Sequence, residues 1–137
     1  MPCPTGGAGG PTPRGQRRAH PAAAVNNVTH ILSSVPPGTV GDPVLAFHAT
    51  DIEACLRLRW VGYLSTTGVY GDTGGAAVDE AAPLDPTSDR GRRRVDAEVA
   101  WHRLHLERDI PVHVFRLAGI YGPGRSAREQ VRAGRAR

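Results

Sequence analysis

Apolar residues gather in three runs of strand length. Val28-Thr29-His30-Ile31-Leu32-Ser33-Ser34-Val35 ends at Pro36-Pro37-Gly38. Trp60-Val61-Gly62-Tyr63-Leu64-Ser65-Thr66-Thr67-Gly68-Val69-Tyr70-Gly71 reads as a buried strand that ends in hydroxyls. Residues 112–117 form the third run, and Gly122-Pro123-Gly124 breaks the chain after it. Between the runs the period changes. Val44, Phe47, His48, Ile52, Cys55 and Leu56 recur at three- and four-residue spacing and predict a helix over 44–58. A second helix is predicted over 91–109. Val95, Val99, Trp101, Leu104 and Leu106 give it an apolar side; Arg92, Arg93, Arg94, Asp96, Glu98 and Arg103 give it a wet one. Pro111 ends it, and a polar loop over 72–89 precedes it. Strands alternating with helices predict an α/β fold, a parallel sheet with right-handed crossovers. Hydroxyls at the carboxyl end of a strand stand where open α/β sheets place their ligands.

The ends of the chain read differently. Residues 1–24 are Gly, Pro, Ala and Arg with almost no large apolar side chain, so burial cannot offset ordering entropy and a disordered tail is expected. Thr5-Gly6-Gly7-Ala8-Gly9-Gly10 has the look of a dinucleotide fingerprint. No strand fits before it, and Pro11 and Pro13 oppose a helix after it, so it reads as low complexity. Residues 127–137 are expected to be a frayed basic end with no apolar face.

The chain has 137 residues and a formal net charge of +4, and all 17 of its basic residues are arginine. Without lysine there is no Schiff base and no compact ammonium. Scattered arginines with 5% aromatics do not suit nucleic-acid binding, which needs rings beside the basic groups. Cys3 and Cys55 lack metal-ligand spacing, and no metal site is expected. No run is apolar enough to span a membrane and no signal-peptide core is visible, so a cytoplasmic protein is the expectation.

Four motifs now stand in order: Leu64-Ser65-Thr66-Thr67-Gly68-Val69-Tyr70-Gly71, Val78-Asp79-Glu80, a helix carrying Glu98, and Phe115-Arg116-Leu117-Ala118-Gly119-Ile120-Tyr121-Gly122-Pro123-Gly124. Their order and spacing resemble the extended short-chain dehydrogenase/reductase superfamily, the NAD-dependent epimerase/dehydratase group, over about residues 28–126. The resemblance implies a Rossmann-type domain for NAD or NADP and a small-molecule substrate. Ser33, Ser34 and Val35 would lie near the cofactor ribose, with Ser65 at the end of the next strand. Thr66 matches the active-site Ser/Thr that hydrogen-bonds a substrate oxygen, and Gly119, Ile120 and Tyr121 match the loop against the nicotinamide. A strand-end hydroxyl satisfied by backbone is the other reading of Thr66.

The departures carry as much weight. The family's Tyr proton donor and its Lys partner, four residues apart, fall on Arg90 and Arg94. Arginine does not deprotonate, so Arg90 cannot move a proton, and Arg94 cannot reproduce the ammonium contact. This resembles the atypical branch that keeps the nucleotide fold and loses the pair. The arginines at 90–94 read either as a solvated helix start or as a cluster that holds a phosphate or acidic ligand. The expected architecture is a partial Rossmann-type sheet without the first βαβ unit or the substrate-binding part that follows it in the family, as in a fragment of a larger protein. Weak dinucleotide binding, or none, and no turnover are expected. A non-catalytic interaction module with an Arg-rich face is the alternative.

Overall fold

The three apolar runs pair side by side. In a computed structural model, which describes residues 27–123 and 126–134, the order is β1 (His30–Ser33), α1 (Pro43–Glu53), β2 (Trp60–Thr66), a 3₁₀ turn (Thr67–Val69), α2 (Asp89–Arg108), β3 (Val112–Leu117) and α3 (Ala127–Arg132). β2 is central and parallel to both neighbours. Ile31 lies opposite Val61, Val61 opposite Val112, and Thr66 opposite Leu117. The predicted partial Rossmann-type parallel sheet with flanking helices is therefore present. β1 is shorter than the run over 28–35, since Pro36 and Pro37 offer no N–H to a ladder.

Asp42 starts α1. Its Oδ1 accepts from the backbone N–H groups of Val44 (2.8 Å) and Leu45 (3.1 Å), and Pro43 takes the first helical position. The helix stops at Glu53, short of the predicted 58, and a turn closes with Leu58 N–H on the Cys55 carbonyl (3.1 Å). Phe47 and Leu56, expected on the apolar side, are exposed. Ser88 caps α2 through the Gly91 N–H (3.1 Å), and Asp109 ends it in the left-handed region with φ 54°.

The face that α2 buries differs from the predicted one. Gly91, Arg94, Ala97, Glu98, Trp101 and Leu104 point inward, whereas Val99 and Leu106 are exposed. Arg94 and Glu98 were expected on the wet side, and both are buried because partners on the sheet receive them. The core joins Ile52, Val61, Tyr63, Ala97, Trp101, Leu104 and Ile110. Trp101 stacks on Tyr63 with ring centroids 5.8 Å apart, and its Nε1 donates to Asp42 Oδ2 at 3.1 Å. One side chain thus closes the sheet, both long helices and the cap of α1.

Both long helices pack on the sheet face that carries Ile31, Val61, Tyr63 and Val114. The opposite face holds Leu32, Trp60, Phe115 and Leu117, with Trp60 stacked near His113 at 6.0 Å. No described helix covers it, although parallel sheets usually carry helices on both faces. α3 starts in a capping box in which Ser126 and Glu129 exchange hydrogen bonds. No described helix is long and apolar enough to cross a membrane. The expected tail over 1–24, its Gly6–Gly10 run, Cys3, Gly124 and residues 135–137 lie outside the described residues.

Candidate functional site

The strand ends converge on one opening. A cavity of about 480 Å³ lies beyond the carboxyl ends of the strands, lined by Ser34, Thr66, Gly68, Ser88, Arg90, Arg94, Gly119 and Ile120 among others. Parallel strands put all their carboxyl ends on one side, so hydroxyls 32 positions apart in sequence meet there.

Two glycines let the walls approach. Gly71 adopts φ 74°, and a Cβ on it would collide with the Asp85 carbonyl. A Cβ on Gly91 would lie 2.9 Å from the Gly68 carbonyl oxygen and 2.7 Å from Pro86 Cβ. The start of α2 therefore presses on the 3₁₀ turn, which brings Arg90 and Arg94 to the same opening as Thr66.

Each residue singled out in the sequence has a definite place. Thr66 Oγ1 accepts from the Gly68 N–H at 3.2 Å, which caps the 3₁₀ turn and leaves the hydroxyl proton for another acceptor. Ser34 is exposed at the rim. Ser33 is buried, and its Oγ has no hydrogen-bond partner among the described residues. Val35 and Tyr121 are exposed and do not line the cavity, whereas Gly119 and Ile120 do. Ser65 lines the cavity, yet its hydroxyl donates to Glu98 Oε1 in the interior.

Arg90 is exposed at the mouth. Arg94 is not part of a solvated helix start. It is 8% exposed, and its Nη1 donates to the Leu64 carbonyl at 2.6 Å and to the Tyr63 hydroxyl at 3.1 Å. Burial pushes the Tyr63 phenol above its ordinary range, and the Arg94 charge and hydrogen bond oppose the rise.

Sequence reasoning did not single out Arg116. It donates to Glu98 through Nε and Nη2, and through Nη1 to the Tyr70 hydroxyl (2.9 Å) and the Glu80 carbonyl (3.0 Å). The Glu98 hydrogen bond raises the Arg116 pKa further above its ordinary value. The signal was available in outline, since β3 points Arg116 to the helix side in register with Ser65.

The same fold occurs in known proteins. Over 74% of this chain, a functionally unknown conserved protein from Silicibacter pomeroyi superposes with a TM-score of 0.68 and 56% identity. UDP-glucuronic acid 4-epimerase from Bacillus cereus, solved with NAD, matches 74% of the chain with a TM-score of 0.59 at 21% identity. dTDP-glucose 4,6-dehydratase from Streptomyces venezuelae, solved with NAD, matches 82% with a TM-score of 0.61 at 20% identity. The chain carries part of the epimerase/dehydratase fold. It spans 36%, 36% and 41% of those three chains respectively. Protein YeeZ of Escherichia coli K12 is 38% identical over 75 residues, 55% of this chain and 26% of YeeZ. No protein-family model matches.

Proposed function

We propose that this chain is an NAD(P)-binding, epimerase/dehydratase-like protein of the atypical branch. In this reading it provides the nicotinamide-facing and substrate-facing wall of a dinucleotide site and has no turnover of its own. The observation that carries it is the cavity beyond the parallel strands, with Ser34, Thr66 and the Gly119-Ile120 loop on its walls. Those residues fit the nicotinamide half of the cofactor. Hydroxyls of Ser34 and Thr66 offer polar contacts to ribose or substrate oxygens, and Ile120 with Gly119 offers an apolar wall for a flat ring. A bound dinucleotide would supply hydride transfer. Arg90 and Arg94 would add positive charge and no proton relay.

Dinucleotide affinity is expected in the millimolar range. Among the described residues no Gly-x-x-Gly-x-x-Gly turn leads a strand into a helix N-terminus to hold the pyrophosphate. Amide shifts on NAD or NADP titration test this. They should cluster at Ser34, Thr66, Gly119 and Ile120. No shift at those positions would sink the dinucleotide reading, and micromolar affinity would mean that another segment holds the phosphates.

A second reading is an interaction module. It is favoured by the sheet face of Leu32, Trp60, Phe115 and Leu117, which no described helix covers. The same titration separates the two, because an interaction module leaves the cavity amides unmoved.

A further inference from the structure

Among the described residues, the cavity is lined by two arginines and by no Asp or Glu. Arg94 is buried, and its hydrogen bonds to described residues all come from Nη1, to a phenol and a carbonyl. Neither acceptor carries a formal charge. The buried carboxylates are engaged elsewhere. Glu98 receives Ser65 and Arg116, while Asp42 caps α1 and receives Trp101. Arg92 is held by Asp89 at 2.7 Å and by the Pro86 carbonyl. Arg90 lines the same cavity, and among the described residues it makes no hydrogen bond or ion pair.

These placements have a cost. A buried cation without a carboxylate partner is unfavourable. A second cation in the first turn of a 20-residue helix stands at the positive end of the macrodipole. A negatively charged ligand offsets both at once. Neutral donors are also available. Thr66 and Ser88 use their hydroxyl oxygens to accept from the Gly68 and Gly91 N–H groups, so their O–H protons can still be donated.

We propose that the cavity binds an oxyanion, the phosphate or carboxylate group of a small molecule, between Arg90 and Arg94. Arg90 is the exposed clamp and Arg94 the buried countercharge. The proposal rests on the dinucleotide-site reading and deepens it by naming the ligand class. The anionic group lies at the start of α2, where the resemblance would put a proton donor. That group belongs either to the dinucleotide itself or to a separate substrate.

Calorimetric titration of the full chain with inorganic phosphate, glucuronate and NAD at low salt tests it. Phosphate or glucuronate should bind, and Arg90→Gln should weaken that binding about tenfold, as loss of one charge-assisted contact does. Arg90→Lys should restore part of it. Arg90 is exposed, so a thermal melt should show Arg90→Gln as stable as the parent. If NAD is also weakened about tenfold and phosphate competes with it, the anion is the cofactor's own. If glucuronate binds equally well to the NAD-loaded chain, the anion is the substrate's. Binding of phosphate or glucuronate through Arg90 without any NAD binding would support the oxyanion site and overturn the dinucleotide reading. NAD binding unchanged by Arg90→Gln, with no heat from phosphate or glucuronate, would overturn the oxyanion site alone. No binding of any probe at millimolar concentration would overturn both.

Discussion

Arg116 holds Glu98 inside the domain. Its Nη2 lies 2.9 Å and its Nε 3.2 Å from Glu98 Oε2, and the pair joins β3 to the middle of α2. Ser65 on β2 donates to the other carboxylate oxygen, and Tyr70 and Glu80 bring the loop beyond the 3₁₀ turn to the same guanidinium. Four segments thus share one charge pair. Removing Glu98 leaves Arg116 charged and only partly exposed, which costs about 1–3 kcal/mol, between a surface pair and a buried one. Glu98→Ala should lose that much in urea denaturation. The double variant Glu98→Leu, Arg116→Met should be less damaged than Glu98→Ala alone. Equal stability of Glu98→Ala and the parent would show that the pair contributes nothing.

The bond between Asp42 and Trp101 makes a second stability prediction. Asp42 caps α1 with one oxygen and accepts the buried indole N–H with the other. Asp42→Ala loses the cap, about 1 kcal/mol, and strands a buried donor, about 1–3 kcal/mol. Asp42→Asn keeps a side-chain oxygen for only one of these roles, so its loss should fall between alanine and the parent. Chemical denaturation with Trp fluorescence reads both variants.

How legible this was differs by element. The three strands and two long helices follow from apolar runs and from three- and four-residue spacing, which are local signals. The fate of Arg94 and Glu98 was not legible. On a helical wheel they belong with Arg92 and Asp96, but Leu64 and Tyr63 reach one and Arg116 the other, across 30, 31 and 18 positions of chain. Phe47, Val99 and Leu106 erred in the other direction. They follow helical spacing but lie away from the one sheet face that α1 and α2 cover. The motif resemblance singles out Thr66 and Gly119, and both line the cavity. The role of Arg116 was hidden because a single charged residue in an apolar strand does not reveal its partner.

Gly91 should resist substitution despite its helical position. Alanine would normally favour a helix by about 1 kcal/mol. Here the added Cβ meets the Gly68 carbonyl oxygen at 2.9 Å and Pro86 Cβ at 2.7 Å, and the former is backbone. Overpacking of this kind costs about 1–3 kcal/mol, so the clash wins. Gly91→Ala should lower the melting temperature and shift the amides of Gly68 and Thr66. A higher melting temperature would show that the 3₁₀ turn yields freely.

Tyr63 predicts an alkaline limit. Burial raises its pKa in the folded chain above the ordinary phenol value. The native state then holds the phenolic proton to higher pH than the unfolded state does. Unfolded chains bind fewer protons in that window, so stability falls as pH rises. The contribution is complete below about pH 10, the unfolded value, and is lost as pH climbs from there through the folded pKa. Tyr63→Phe should flatten this part of the profile while lowering stability at neutral pH, since Arg94 loses an acceptor. An unchanged alkaline slope in the variant would assign the effect to another group.

The last prediction concerns turnover. A general acid must change protonation near working pH and reach the reacting group. Arg90 stands where the resemblance calls for tyrosine, and a guanidinium does not give up its proton. The three tyrosines do not replace it. Tyr63 is buried with its hydroxyl on Arg94, Tyr70 is buried with its hydroxyl on Arg116, and Tyr121 is exposed and outside the cavity lining. His102 and His105 lie in the second half of α2, and neither lines this cavity. The chain should therefore show no epimerase or dehydrogenase turnover with NAD and UDP-glucuronic acid. Arg90→Tyr with Arg94→Lys, in a chain extended at its amino end by a Gly-rich phosphate-binding unit, restores both groups. Turnover confined to that double variant would support the lost proton donor. Arg94→Lys alone should also cost stability, because one ammonium replaces a guanidinium that spans Leu64 and Tyr63. Robust turnover by the unmodified 137-residue chain would overturn the prediction and assign the acid to Tyr121 or to one of the two histidines.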